Sequence, residues 1–210
     1  MAAATAPLRI DFVSDVTCPW CAIGLQGLES AIARIGRPVE LHLQPFELNP
    51  GIAPEGEPIA EYAARKYGVG ADQLAARQAL IRERGAAAGL ALALRTHVYN
   101  TFDAHRLLHW AGLQGRALEL KRALLQAYHV RGENLARHEV LLQAAGTARL
   151  DEAAAREVLT RGAHAEEVRA NVRHWQRCGI DSVPSVVIDG RHLIAGGQPV
   201  EVYEQALRQL

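Results

Sequence analysis

The chain has 210 residues, 49% of them apolar and 22% charged, which suits one globular body of one or two lobes with a buried core. Basic and acidic side chains balance at 23 each, so no field of a single sign recommends a nucleic acid or an anionic membrane as partner. No run of about 18 apolar residues is present to span a bilayer, and the stretch before the first apolar segment is too short for a cleavable leader. The expected compartment is therefore the cytoplasm, where most thiols stay reduced.

In chain order, residues 8–13 (LRIDFV) alternate and then run apolar, as a strand entering a sheet core does. "SDVTCPWCAIG" follows at once. Leu25, Leu28, Ile32 and Ile35 then recur at spacings of three and four, predicting an amphipathic helix that Gly36 terminates. Gly24 and Gly27 inside it predict close packing of that helix on the sheet. Alternation returns through Val39, Leu41 and Leu43, so strand, helix and strand form a unit with parallel pairing and a right-handed crossover.

Between about Glu57 and Cys178 the sequence is rich in alanine and leucine and punctuated by glycines, the spacing of several short helices. The clearest cover residues 101–113, 117–130 and 151–160. Strand-like alternation is missing there, and "GLALAL" from Gly89 reads as core. At the far end, "VPSVVIDGRHLIAGG" holds two β-rich runs around Asp189-Gly190, a two-residue hairpin turn. Pro199 then opens a closing helix with Val202, Ala206 and Leu210 on one face. The expected fold class is α/β, a thioredoxin-like fold with an inserted α-helical domain. Residues 1–56 and 179–210 would form the discontinuous thioredoxin-like domain, and residues 57–178 the insertion.

The cysteine pair lies at a strand-to-helix junction. With Pro19 at the first helical position, Cys18 falls at the N-cap, where unpaired backbone N–H groups and the positive end of the helix dipole favour a thiolate. Cys18 is thus the expected nucleophile. Cys21, one turn on, is the expected resolving thiol. Trp20 between them reads as a rim residue that shapes substrate approach. A four-ligand metal site needs a second CxxC or a histidine pair, and only one further cysteine, Cys178, exists; no metal is expected. Cys178 itself reads as a buried or half-buried spectator. His105 and His109 begin a zincin-like pattern, but Arg106 stands where the glutamate belongs, so they read as packing or groove-lining residues. A proline before a strand, as at Pro184, is on its own often an edge marker. Beside a CxxC, a cis Val183–Pro184 bond would instead present the Val183 backbone to an extended peptide or to glutathione lying across Cys18.

Taken in order, "DVTCPWCAIG", "PFELNP", "NTFDAHRLLHWA", "SVPSVVIDG" and "AGGQP" resemble the FrnE-like branch of DsbA-family thiol-disulfide oxidoreductases over nearly the whole chain. The resemblance implies a thioredoxin fold with a helical insertion, attack by Cys18, resolution by Cys21 and a cis proline at Pro184. Related by fold are 2-hydroxychromene-2-carboxylate isomerases and kappa-class glutathione transferases, which generally carry serine where this chain has Cys18. Asn49, Val183 and Gln198 match positions near their glutathione groove, while Ser182 replaces the usual glycine before the Val-Pro pair. The expected function is a cytoplasmic dithiol-disulfide oxidoreductase or isomerase working through a mixed disulfide. No cofactor is required, and glutathione is a candidate co-substrate. Expected partners are disulfide-containing proteins or low-molecular-weight thiols, with the chain a monomer or homodimer. Two other readings stay open: a glutathione-dependent isomerase or transferase on a small aromatic or polyketide substrate, and a redox-switched binding module.

Overall fold

The computed structural model describes residues 6–210; residues 1–5, assigned above to the first segment of the thioredoxin-like domain, lie outside the described residues. In chain order the elements are β1 (Leu8–Ser14), α1 (Pro19–Ile35), β2 (Val39–Pro45), β3 (Glu57–Pro58), α2 (Ile59–Tyr67), α3 (Ala71–Ala87), β4 (His97–Val98) and α4 (Phe102–Leu113). Then come α5 (Ala117–His129), α6 (His138–Thr147), α7 (Glu152–Thr160), α8 (Ala165–Arg177), β5 (Ser185–Ile188), β6 (His192–Ala195) and α9 (Val200–Arg208).

Four strands form one mixed sheet in the order β2-β1-β5-β6. β1 runs parallel to β2, in register from Leu8 with Val39 to Ser14 with Pro45, and antiparallel to β5. The alternation of β1 sorts its side chains between two faces. Leu8, Ile10 and Phe12 pack with Leu25 and Leu28 of α1 and with Tyr203 and Leu207 of α9, whereas Val13 faces Trp175 of α8 and Ile180. Burying a leucine such as Leu28 contributes about 1.5–3 kcal/mol, and α1 ends as its sequence predicts, with Gly36 left-handed at φ 66°.

The closing helix docks on a different face from the one expected. Tyr203 and Leu207 are buried, while Val202 and Leu210 are exposed. The two stripes are equally apolar on paper; what selects between them is the groove offered by α1. A Cβ on Gly24 would lie 3.1 Å from Pro184 Cγ, and one on Gly27 would lie 3.0 Å from the Gln198 carbonyl. The two glycines therefore admit the proline loop, the 196–198 segment and α9, rather than the sheet itself. The hairpin turn also differs: Asp189 and Gly190 both have positive φ, at 49° and 67°, but Ile188 pairs with His192, so Arg191 is left as an extra residue.

The insertion is a helical lobe in which α4, α5, α6 and α7 share one core. Its first part departs from the sequence reading, since β3 and β4 form a two-residue antiparallel ladder. "GLALAL" is only partly core: Leu92 is buried with Ile23 and Ile81, and Leu94 is exposed. Val16, from the loop between β1 and α1, is fully buried inside the lobe core. Its carbonyl accepts a hydrogen bond from His129 Nε2 at 3.0 Å.

Burial, followed by the charge of Arg95, pushes the His129 pKa down to about 3. Between an unfolded value of about 6.5 and this folded value, only the unfolded chain takes the proton, so stability drops as pH falls through that window. The expected contribution is roughly 1.4 kcal/mol per pH unit. Urea unfolding at a series of pH values should show this slope, and His129→Gln should flatten it; an unchanged slope in the variant refutes the assignment.

Candidate active site

The chain reaches Cys18 from a buried loop. Asp15, Val16 and Thr17 are enclosed where strand gives way to helix, and Cys18 is the N-cap of α1 with φ −82° and ψ 116°. Pro19 has no N–H to leave unpaired, and the Cys21 and Ala22 N–H groups donate to the Cys18 carbonyl at 3.1 and 3.3 Å. The Cys18 sulfur lies 3.6 Å from the Val183 carbonyl, and the Val183–Pro184 peptide is cis. Cys18 is 5% exposed and Cys21 is fully buried.

These surroundings split the two thiols. A hydrogen bond from the Cys21 thiol, followed by the backbone N–H groups of Cys21 and Trp20, holds the Cys18 pKa below its ordinary value against the opposing effects of burial and the Asp15 charge. Burial and the neighbouring Cys18 sulfur push Cys21 well up. One sulfur is thereby set to be the anion and the other its proton donor.

Beneath the pair lies a charged cluster that the sequence pattern did not disclose. Asp15 accepts from the Leu48 N–H at 2.7 Å and the Thr17 N–H at 3.3 Å, and His105 Nε2 stands 3.6 Å from its carboxylate. Burial raises the Asp15 pKa, but His105, the Leu48 amide and the Lys121 charge together hold it below its usual range. Lys121 of α5 is 1% exposed. Burial pushes its ammonium down, and the charges of Cys21, Asp15 and Cys18 pull it back up. His105, read from the sequence as packing or groove-lining, borders a cavity beside β2 and also faces a carboxylate. His109, four residues on, lies against the His164 ring instead.

A cavity of about 390 Å³ opens onto Cys18. Trp20 lines it and packs beside Ile23 and Ile81, so α3 of the lobe anchors the residue between the cysteines. Asn49 lines it too, its carbonyl oxygen already accepting from the Tyr62 hydroxyl and the Lys66 ammonium, both at 2.8 Å. Gln198 does not line it; its amide donates to the Ala195 carbonyl at 2.7 Å. Cysteine, tryptophan and proline loop therefore converge, Asn49 borders the same space, and Gln198 belongs to the α9 side. Cys178 is exposed at the C-cap of α8, 3.7 Å from His174, which corrects the expectation of a buried thiol. Among the described residues no helix is long and apolar enough to cross a membrane.

The family model of the DSBA-like thioredoxin domain matches residues 9–208. Among solved structures, a probable DsbA oxidoreductase, SCO1869 from Streptomyces coelicolor, superposes with a TM-score of 0.89 and 36% identity, covering 96% of this chain and 89% of that one. An uncharacterized protein of Bacillus subtilis, YwbO, is 25% identical over 204 residues, 95% of this chain and 96% of its own. The cytosolic disulfide reductase DsbM from Pseudomonas aeruginosa, solved with GSH, shares the fold at a TM-score of 0.60 and 18% identity, covering 96% of this chain and 98% of that one.

Proposed function

Because the chain belongs to the DSBA-like thioredoxin domain family, we propose that it is a dithiol-disulfide oxidoreductase whose attacking atom is the Cys18 sulfur. The observation that carries this reading is the pairing of a depressed Cys18 pKa at a helix N-terminus with a buried, protonated Cys21 one turn away. The Cys18 thiolate attacks one sulfur of a substrate disulfide, forming a mixed disulfide and expelling the other half as a thiolate. Cys21 then attacks the Cys18 sulfur as its proton passes to the departing substrate sulfur, with the Lys121 charge favouring its thiolate form. A Cys18–Cys21 disulfide forms, the second substrate thiolate leaves, and two electrons have passed from protein to substrate. Low-molecular-weight thiols return the electrons by the reverse exchange, and GSH bound to the like-folded DsbM supports glutathione in this role. Val183 and Pro184 border the captured sulfur, and Trp20 and Asn49 border the approach to it. The cytoplasm is the compartment this reading assigns, as for the cytosolic DsbM.

Reduced Cys21→Ser protein treated with oxidised glutathione is expected to retain one glutathione on Cys18, because the resolving sulfur is gone. Intact mass and peptide mapping in a Cys178→Ser background read this without interference from the exposed third thiol. Absence of an adduct at Cys18 would sink the proposal.

A further inference from the structure

The cavity in front of Cys18 has a composition that says what it admits. Its walls include Tyr62 and Tyr67 of α2, Ile81 of α3 and Trp20, an aromatic and aliphatic surface closed over the sulfur by the lobe. Two cations, Arg77 and Arg95, belong to the lining, and among the described residues no acidic side chain contributes to it. Among the described residues neither guanidinium has a carboxylate within 4.0 Å. Many other arginines of the chain do, as Arg65 does with Glu57 and Arg131 with Glu133.

Arg95 is half-buried, and its backbone is tied to Gln78. Its N–H donates to Gln78 Oε1 at 2.9 Å, and the Gln78 amide donates to its carbonyl at 3.3 Å. Its charge is felt by His129 and by Tyr128, whose hydroxyl is also a hydrogen-bond partner of its side chain; both are buried and neither supplies a negative charge. A partly desolvated cation without a counter-ion, at the wall of a reactive-sulfur pocket, stabilises an incoming anion more strongly than a surface arginine does. Lys66 adds a further positive charge beside the same wall, 5.5 Å from the Tyr62 ring centroid and 5.7 Å from that of Tyr67.

We infer that the substrate is a low-molecular-weight disulfide with an aromatic or apolar body and a carboxylate, the body against Trp20, Tyr62 and Tyr67 and the carboxylate on Arg95 and Arg77. This rests on the thiol-exchange reading and deepens it. Cys18 is 5% exposed and reached through a cavity of about 390 Å³, dimensions that suit a small molecule. The chemistry is the first exchange already described: the Cys18 thiolate forms the mixed disulfide with one half of the reagent and the other half leaves as a thiolate. The reagent is the oxidant, and no further reactant is needed for one turnover.

The test uses pre-reduced full-length protein in a Cys178→Ser background and two aromatic disulfides, the anionic dithiobis(nitrobenzoate) and the uncharged dithiodipyridine. Stopped-flow absorbance gives the rate constant for each, and the quantity read is the ratio of charged to neutral. Arg95→Gln should lower this ratio about tenfold, the effect of one charged contact of about 1.4 kcal/mol, and Arg95→Lys should restore most of it. Arg77→Gln, on the exposed part of α3, should lower it in the same direction, and it serves alone if Arg95→Gln does not fold. A fall of less than threefold in whichever of these variants folds overturns the inference. Failure of the underlying reading shows differently: Cys18→Ser would then react with both reagents as fast as the parent, whatever the ratio.

Discussion

Cys18→Ser protein is expected to reduce disulfides no faster than buffer containing the same reductant, while Cys178→Ser protein keeps its turnover. A serine hydroxyl at the N-cap would fit the fold, since serine is a favoured capping residue, so the loss would be chemical rather than structural. The anion at this position depends on a sulfur whose pKa the surroundings have lowered. The sign of the pH effect follows. An acid with a depressed pKa stays ionised as pH drops below the ordinary thiol value of about 8.5. Alkylation of Cys18 should therefore decline only as the pH passes below the depressed pKa, with a midpoint below that of an ordinary thiol. Cys21→Ala removes the hydrogen bond that is the largest cause of the depression and should move the midpoint of the profile upward. Rate profiles with iodoacetamide in the Cys178→Ser background measure both. A midpoint at or above the ordinary value in the parent would contradict the assignment of Cys18 as nucleophile.

The second large effect concerns Arg106, the residue that interrupts the apparent zincin pattern. Its guanidinium is buried in the lobe and donates to the carbonyls of Val158 at 2.7 Å, Ala163 at 2.9 Å and Leu159 at 3.1 Å. It also grips Asp103 Oδ1 through two bonds at 3.0 and 2.8 Å. These carbonyls belong to the end of α7 and the turn after it, where a helix leaves its last acceptors without intrahelical partners. Arg106→Met keeps much of the side-chain volume and deletes every donor. Removing one partner of a buried charged network costs about 3–5 kcal/mol. Equilibrium urea unfolding should show a loss of that size; a change under about 1 kcal/mol would mean that water replaces the guanidinium without penalty.

Much of the sheet was legible because the residues that build it depend on near neighbours. The alternation of Leu8, Ile10 and Phe12, the stripe of Leu25 and Leu28 and the stop at Gly36 are all decided within a few turns of chain. The place of Cys18 at the start of α1 and the cis bond at Pro184 were legible for the same reason: each follows from a short local string. What escaped is what the tertiary fold decides. Lys121 lies on a helix that, read alone, would give a lysine to solvent, and only the tertiary fold buries it and brings it under the charge of Asp15, more than a hundred residues earlier in the chain. Arg106 was noticed only as a missing glutamate, because nothing in "AHRL" announces the α7 carbonyls. The buried face of α9 went to Tyr203 over Val202 because glycines on a distant helix shaped the socket. Cys178 followed neither rule: the general tendency of cysteine to be buried gave way to its place at an exposed helix end.

Val16 carries a last consequence. It stands between β1 and Cys18 in sequence, yet its side chain belongs to the core of the insertion. The lobe is thus a foundation for the turn that leads into Cys18 and cannot be treated as an accessory fitted afterwards. Excising it to obtain a minimal sheet protein would strip the packing from the segment that aims the sulfur, and grafting in a foreign lobe would need a matching recess for an isopropyl group. Changes in this lobe and in the two residues before the first cysteine must be made together.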